Sequence, residues 1–465
     1  MTTQKDIDSK FYLGPFGALL PFLAFLICIL YLCTQGAAGS STCGAAAFVG
    51  FIVAFFTMKD KRRFNELTLK GLTSSMLGTM LLAFLLAGVI AKMMAMSGLT
   101  NSLVWVAMEL GADARLFPLL IFLTAVIISS ATGTSGGTMT TVTPVLLPMA
   151  VAMGCDPVLS VGAIISGSMF GDNLAPVSDT TIASAVSQET TVTAVVRTRF
   201  PYCVIAGVVS AGLYVYFGYE TTVQMDASHM ALEAEPLALL LLVVPVLVVV
   251  LMLLKKGLVF SMILGIVVGA VISLACGLIP FAELLSSSGL LAGGFTGMMG
   301  IFPFFYFMYI MIEVMHEGKV IEVFLAFVEK RATTRRRAEI AAGLMASVGS
   351  CLLSSPTVTI VTFGPMVRTI LKKFGIDRTR GANIMDGLAC AFGGLLPYSA
   401  TYLVGVTQAQ LTGVLDPSIS MLSFLTRSFH CWALLIVFWA SILTGIGSRD
   451  EDPNDDAVHD VIDTL

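Results

Sequence analysis

Long apolar runs, separated by short polar segments, follow one another along almost the whole chain. A helix needs about 20 mostly apolar residues to cross the hydrocarbon core of a bilayer. The runs therefore predict an all-α polytopic membrane protein. We place the apolar helical segments at 16–33, 44–57, 72–97, 116–128, 139–153, 158–186, 200–218, 237–254, 257–279, 290–315, 338–352, 360–373, 381–405 and 424–444.

The basic residues predict how these segments are oriented, because Lys and Arg are enriched in cytoplasmic loops. They cluster at 59–63, 197–199, 255–256, 330–337 and 372–380. The loop 219–236 contains four acids and no Lys or Arg, so we expect it outside. This assignment requires 129–138 and 353–359 to be tips of re-entrant hairpins, and it places both termini in the cytoplasm.

An offset of 221 residues aligns the helix-breaking and hydroxyl residues of the two halves. The matched pairs are Pro144 and Pro365, Gly154 and Gly375, Asp156 and Asp377, Pro176 and Pro397, Ser178 and Ser399, and Thr180 and Thr401. The loop after Gly154 has no basic residue, whereas four lie around Gly375. Equivalent loops on opposite faces indicate two inverted-topology repeats, each with a re-entrant hairpin and a broken helix.

The repeat divides the chain into five parts. We expect an N-terminal cytoplasmic segment with the first two spans as a scaffold (1–70), a first repeat (71–218), an external loop and span (219–256), a second repeat (257–445) and an acidic cytoplasmic tail (446–465).

Composition agrees with a membrane protein. The chain is 56% hydrophobic and 12% charged, whereas soluble domains carry roughly 25% charged residues. Its nine cysteines show no CxxC and no Cys–His ligand spacing, so we interpret them as small embedded side chains. We expect the lipid bilayer as its surroundings, and no enzyme activity, cofactor or nucleic-acid partner.

The segment 171–181, GDNLAPVSDTT, holds two carboxylates at membrane depth. Each costs about 2.5–3.5 kcal/mol to insert, and the segment has no Lys or Arg. Pro176 cannot donate to the carbonyl of Asp172, so a carboxylate and a freed carbonyl coincide. Such oxygens, with hydroxyls, suit a hard cation, and a desolvated carboxyl also takes a proton.

We therefore predict that Asp172 and Asp179 bind Na⁺ or H⁺ alternately. The predicted neighbours are Asn173, Ser178, Thr180 and Thr181. The alternative is a purely structural carboxylate that caps the broken helix.

The two hairpin tips and the second helix break are the predicted substrate contacts. These residues are Thr134, Ser135, Gly136, Gly137, Thr138, Ser354, Ser355, Thr357, Pro397, Tyr398, Ser399 and Thr401. Glycine permits sharp turns and close approach of a ligand to the backbone. The alternative is that the small residues serve only to pack helices.

Acidic chemistry is expected mainly in the first half, because Asp172 aligns with Gly393 and Asp179 with Ala400. Asp386 is a second candidate for binding a cation or proton. Alternatively, Asp386 lies near the cytoplasmic end of its helix beside Arg380.

The 171–181 segment resembles the marker G-D-x-x-S-P-x-S-D-T-T of the NhaC family of Na⁺/H⁺ antiporters, within the ion-transporter superfamily. Residues 132–138, TGTSGGT, are similar to a second marker, T-G-T-S-W-G-T. The resemblance spans most of the chain, with two departures. Ala175 stands where the family usually has Ser, and Gly136 where it usually has Trp.

The resemblance implies Na⁺/H⁺ antiport in the cell membrane of a prokaryote. It also implies an elevator-like movement of the hairpin domain against a scaffold, often in a homodimer. The family includes sodium-coupled carriers of carboxylates and amino acids, so Na⁺-coupled transport of a small organic solute is the alternative. The volume vacated at Gly136 would hold that solute, with hairpin amides facing its carboxylate.

Two other classes fit less well. An intramembrane aspartyl protease needs acids on facing helices, but Asp172 and Asp179 lie seven residues apart around a proline. A channel is disfavoured because inverted repeats with occluding hairpins are typical of carriers.

Overall fold

The computed structural model describes residues 10–34, 40–109, 113–222, 235–254, 256–416 and 419–451. Over these ranges the chain is helical apart from short connections and two isolated β-bridges. Seven helices are long and apolar enough to cross a membrane, or eight if one bent pair counts as a single span. The predicted all-α polytopic class is confirmed. Asp226 and Glu233 of the predicted external loop, and the tail from residue 452, lie outside the described residues.

The first half of the chain forms ten α-helices within the described ranges. They are α1 (Gly14–Thr34), α2 (Ser40–Thr57), α3 (Lys61–Leu72), α4 (Ser75–Met96), α5 (Leu99–Glu109), α6 (Phe117–Thr132), α7 (Ser135–Ala152), α8 (Pro157–Leu174), α9 (Asp179–Ser187) and α10 (Val192–Thr221). A short 3₁₀ turn, Ala114–Leu116, precedes α6.

The second half continues with a 3₁₀ segment, Pro236–Leu242, and further helices. They are α11 (Val243–Leu253), α12 (Leu258–Ala275), α13 (Phe281–Leu285), α14 (Leu290–Met299), α15 (Phe302–Glu317), α16 (Val320–Glu329), α17 (Arg335–Leu353), α18 (Pro356–Lys372), α19 (Arg378–Leu395), α20 (Ala400–Leu411), α21 (Met421–Thr426) and α22 (Phe429–Thr444). Helices α14 and α15 are the bent pair, at 42°.

Helix boundaries recur at the offset of 221. Adding 221 to the ends of α8 gives both ends of α19, and adding it to the first residues of α5, α7 and α9 gives those of α16, α18 and α20. Asp156 and Asp377 cap α8 and α19 in the same way, each accepting backbone N–H bonds. The two halves therefore share one helical plan, whereas their inversion in the membrane stays a prediction.

Each hairpin tip touches the helix break of its own repeat. Gly133 joins α6 to α7 with φ +70°, and a Cβ there would lie 2.9 Å from the backbone nitrogen of Ser178, so only glycine fits. Its counterpart Ser354 adopts the left-handed conformation at φ +56°, and its carbonyl accepts the N–H of Ala400 at 2.9 Å. Both tips are consequently fixed against the segments that interrupt α8–α9 and α19–α20.

The helices pack in two groups. Helix α15 packs on α2 and α3, and α14 on α4, whereas α8 packs on α6 and α7, and α19 on α17, α18 and α22. The short helices α5 and α16 connect the groups along the chain, at equivalent positions of the two repeats. Helix α4 lies against α7, α12 and α20, so it borders both repeats.

Two basic segments differ from the sequence expectation. Residues 61–63 begin the amphipathic helix α3, which is capped by Asp60 and buries Phe64 and Leu67. Helix α10 begins at Val192 instead of residue 200, so the predicted loop cluster at 197–199 is helical. The apolar pattern of 192–196 continues across the arginines, and Thr191 supplies the N-cap.

Candidate cation-binding site

A cavity of about 190 Å³ lies where the hairpin tips and helix breaks of the two repeats meet. Helices α4 and α12 close it with Met80, Ala83, Phe84, Leu258 and Met262. No Lys or Arg contributes to its described lining. The remaining wall consists of Thr134, Ser135, Gly136, Thr140, Asp172, Asp179, Thr180, Ser355, Pro356, Thr357, Ala400, Thr401 and Val404.

Asp172 is the enclosed carboxylate of this cavity, with 5% of its surface exposed. It lies in the last turn of α8, where the helix dipole disfavours a negative charge. Two hydroxyls donate to it, Ser135 at 2.6 Å and Ser178 at 2.5 Å. No described Lys, Arg or His side chain forms an ion pair with it, so its charge is solvated only by neutral donors.

Asp179 occupies a different environment on the same cavity. It is the first residue of α9, where the helix dipole favours an anion, and its side chain is exposed. Thr357 of the second hairpin donates to its carboxylate at 2.7 Å. The sequence prediction that both carboxylates are enclosed is therefore wrong for Asp179. The cause is that the cavity opens beside the break.

The broken helix leaves carbonyls that side chains satisfy. Pro176 has no N–H to donate to the Asp172 carbonyl. That carbonyl accepts instead from the Thr180 hydroxyl at 3.4 Å. That hydroxyl is 3.0 Å from the Ser178 hydroxyl. A carboxylate and a carbonyl of Asp172 thus converge with two hydroxyls beside the four-residue break, and these are the hard oxygen donors that Na⁺ prefers.

Behind the cavity lies a buried ion pair that sequence reasoning missed. The side chains of Arg199 and Asp386 are fully buried and bonded to each other. Arg199 also donates to the carbonyl of Asn173 at 2.6 Å and to the Ser184 hydroxyl at 3.1 Å. The guanidinium therefore caps the C-terminal end of α8 and neutralises Asp386.

This arrangement corrects two sequence interpretations. Arg199 was assigned to a solvated cytoplasmic cluster, but its position within the long helix α10 turns it into the protein interior. Arg380 is not the partner of Asp386, because it pairs with buried Glu339 at 2.8 Å. The missed signal was that the apolar pattern continues on both sides of Arg197 and Arg199, so that one helix carries both arginines.

Several predicted site residues lie close by but do not line the cavity. Asn173 donates to Asp386 at 3.1 Å, and Thr181 accepts from Arg199 at 3.3 Å. Thr138 bonds the Thr134 carbonyl. The others in this group are Gly137, Ser178, Ser354, Pro397, Tyr398 and Ser399.

Tyr398 was predicted as a substrate contact but packs elsewhere. Its hydroxyl donates to the carbonyl of Cys351 at 3.1 Å, and its ring packs edge-on against Phe22 and Phe25. Ser354 lines a neighbouring cavity of about 190 Å³, beside Glu313 and His316. The two cavities share Ser355 and Ala400, so the second hairpin tip lies between them.

Among the described residues, no group of three His, Cys, Asp or Glu side chains converges as a metal site would. A cation in the cavity would instead combine Asp172 with hydroxyl and carbonyl oxygens of the hairpin and the break.

Comparison with known proteins gives one family and several relatives. A sequence model described as the Na⁺/H⁺ antiporter family matches residues 10–219 and 231–445. The chain is 23% identical over 366 residues to the malate-2H(+)/Na(+)-lactate antiporter of Bacillus subtilis (strain 168). The match covers 73% of this chain and 76% of that protein.

Two further relatives match smaller parts. The Na(+)/H(+) antiporter NhaC of Alkalihalophilus pseudofirmus is 27% identical over 191 residues, 40% of this chain and 41% of that protein. The arginine/ornithine antiporter ArcD of Halobacterium salinarum is 28% identical over 210 residues, 44% of this chain and 41% of that protein. These three names share antiport but differ in the transported species.

The Arg199–Asp386 pair gives a stability prediction. Arg199→Met or Asp386→Leu alone leaves an unpaired buried charge, which costs about 3–5 kcal/mol. The double variant removes both charges, so we expect it to unfold at a higher temperature than either single variant. Thermal unfolding of the purified protein in detergent measures this.

The exposed pair Lys373–Glu329 serves as the control, because surface pairs contribute about 0–1 kcal/mol. Lys373→Gln and Glu329→Gln should each change the unfolding temperature little. Additive losses in the double variant of Arg199 and Asp386 would show that the two charges do not compensate each other.

Proposed function

The chain belongs to the Na⁺/H⁺ antiporter family, and from this premise we propose that it exchanges Na⁺ for H⁺ at Asp172. The family model covers most of the chain, which makes it a membrane antiporter. The choice of Na⁺ and H⁺, and of Asp172 as the shared site, is the proposal. Its single strongest support is an enclosed carboxylate that lacks a basic partner.

The contrast between the buried carboxylates of the two broken helices, Asp172 and Asp386, supports this assignment. Asp386 has a permanent counter-ion in Arg199, so a second cation there would meet a guanidinium. Asp172 has two hydroxyl donors and an adjoining cavity instead. A buried carboxylate without compensation is costly. Binding either Na⁺ or a proton removes that cost, and one carboxylate cannot hold both at full strength.

In the proposed cycle, Na⁺ binds the ionised Asp172 together with the oxygens of Ser178 and Thr180. Asp179, on the open side of the cavity, attracts cations toward the site. Release of Na⁺ leaves Asp172 to be protonated before the site changes sides. The proton then leaves on the other face, which completes a 1:1 exchange of H⁺ for Na⁺.

An elevator-like change of sides is consistent with the helical plan. The cavity lies between α4 and α12 on one side and the four tips and breaks on the other. The short helices α5 and α16 lead along the chain from one helix group to the other. We also propose a prokaryotic cell membrane, cytoplasmic termini and a homodimer, as the family resemblance implies.

A second candidate function is Na⁺-coupled transport of a small organic solute. Gly136 lines the cavity, and a Cβ built there meets nothing within 4 Å. The cavity, at about 190 Å³, has room for several water molecules, more than one bare cation fills. The described wall has two acids and no base, so the cavity favours a solute with an amine over a carboxylate that enters without a cation. The names of two relatives include both kinds of solute, malate and lactate in one and arginine and ornithine in the other.

The ion-exchange proposal is tested in proteoliposomes with an imposed pH gradient. Addition of Na⁺ should dissipate the gradient with the native chain, and Asp172→Asn should reduce the rate at least tenfold, because an amide neither titrates nor carries charge. Asp179→Asn should mainly raise the Na⁺ concentration for half-maximal rate, since Asp179 is exposed. A pH-sensitive dye inside the vesicles reports the rate.

Glu66→Gln, an exposed carboxylate on α3, is the matched control and should leave the rate unchanged. Gradient dissipation that persists in Asp172→Asn would remove Asp172 from the exchange.

The organic-solute candidate is tested by filling the open volume with Gly136→Trp. Uptake of radiolabelled lactate, malate or arginine driven by Na⁺ should be present in the native chain and lost in this variant, because the indole occupies the cavity. Binding of ²²Na⁺ should persist, since the Asp172 carboxylate is intact.

Gly212→Trp places the same side chain in open space on α10, away from the cavity, and should leave uptake unaltered. Equal uptake by Gly136→Trp and the native chain would exclude a solute site at this position. This outcome leaves the ion-exchange test untouched, because that test depends on Asp172.

A further inference from the structure

A third cavity, of about 500 Å³, lies between α16 and α17, outside the candidate cation-binding site. Its two ends differ in chemistry. Lys330, Arg331 and Arg337 lie at its basic end, where the Phe327 ring contacts Arg331, and Leu344 lies two turns further along α17 than Arg337. We name this cavity, lined by these residues, the linker groove, because α16 connects the two helix groups.

The three cations of the linker groove have no acidic partner. Among the described residues, none of them forms an ion pair with a carboxylate, whereas nine other Lys and Arg side chains do. The nearest acids along the chain are already committed, since Glu329 pairs with Lys373 and Glu339 with Arg380. The groove therefore carries three uncompensated positive charges at one end.

Local contacts hold two of these cations in place. The Arg331 guanidinium stacks on the Phe327 ring, 3.6 Å from its centroid, and bonds the Phe327 carbonyl at 3.1 Å. Arg337 donates to the Thr333 hydroxyl at 2.8 Å. Positioned guanidinium groups bind phosphate more strongly than a free side chain, because less side-chain entropy is lost.

The apolar side chains of the groove face outward. Phe327 is 53% exposed and Leu344 is 41% exposed, with Val323 one turn away at 46%. In a membrane protein such side chains contact lipid tails. A ligand that fills the groove must therefore carry an anionic group at one end and a hydrocarbon chain at the other.

We propose that the linker groove binds an anionic phospholipid, with its phosphate on Lys330, Arg331 and Arg337 and an acyl chain along Ile340 and Leu344. A free phosphate would match the charges but leave the apolar wall without a partner. A neutral lipid would match the wall but leave the charges unpaired. The bilayer supplies the anionic phospholipid at high local concentration, and basic pockets of this kind bind such head groups.

The linker groove lies where the chain passes from one helix group to the other. Helix α16 follows α15, which packs on α2 and α3, and precedes α17, which packs on α18 and α19. A lipid held between α16 and α17 would bridge the joint between the two helix groups.

The test uses the full chain, delipidated in detergent and titrated with phosphatidylglycerol, with native mass spectrometry counting bound lipids. We expect one tightly bound lipid per chain. The triple variant Lys330→Gln, Arg331→Gln, Arg337→Gln should bind at least tenfold more weakly. Phosphatidylcholine should bind weakly to both proteins.

The matched control is Lys256→Gln, Arg336→Gln, Lys372→Gln, which removes the same charge from exposed residues outside the groove. It should retain the lipid. Equal loss in both triple variants would reduce the effect to overall charge and overturn the proposal. Displacement of the lipid by millimolar inorganic phosphate would also overturn it, because a free anion would then suffice.

If the groove triple variant fails to fold, Leu344→Gln tests the proposal from the apolar end. That exposed position tolerates a polar side chain, and the variant should bind phosphatidylglycerol at least threefold more weakly. Undiminished binding by a folded Leu344→Gln would contradict an acyl chain in the groove.

Discussion

A carboxylate removed from water needs a compensating positive charge, and this requirement organises the interior of the protein. Its two buried carboxylates on the broken helices satisfy the requirement in different ways. Asp386 has Arg199, which is covalently part of the chain and permanently charged. Asp172 has only hydroxyl donors, and in our proposal its compensation comes from outside as a metal cation or a proton. A site that is incomplete without a mobile charge is what an exchanger needs.

The fold creates this difference by interrupting helices where two repeats meet. The break in α8–α9 places Asp172 at a helix C-terminus and Asp179 at the next helix N-terminus, so neighbouring acids experience opposite helix dipoles. The hairpin tip closes over the break because Gly133 allows the approach. In the second repeat, Gly393 and Ala400 stand at the two positions equivalent to Asp172 and Asp179, so its broken helix has no acid there. The hairpin of that repeat contributes Thr357, which donates to Asp179.

Sequence reasoning predicted the features that periodicity and special residues determine. Apolar runs predicted the helices, and Pro, Gly and Asp at an offset of 221 predicted boundaries that recur at that offset, such as those of α8 and α19. The acidic break and the first hairpin do meet at one cavity. The prediction for Arg199 was wrong because clusters of basic residues mark loops only on average. The position of Arg199 depends instead on its tertiary partner, Asp386. The exposure of Asp179 and the packing of Tyr398 on Phe25 also depend on tertiary contacts that spacing along the chain does not encode.

The central claim is that a single enclosed carboxyl group releases its proton when Na⁺ binds. Proton release from the purified chain, in weakly buffered detergent solution on addition of NaCl, measures this directly. With Asp172 as the only enclosed carboxyl on this cavity, the account predicts release of about one proton per chain, saturating with Na⁺ and not elicited by choline chloride. Na⁺ that binds without releasing a proton, or proton release of the same size from a chain lacking the Asp172 carboxyl, would contradict it.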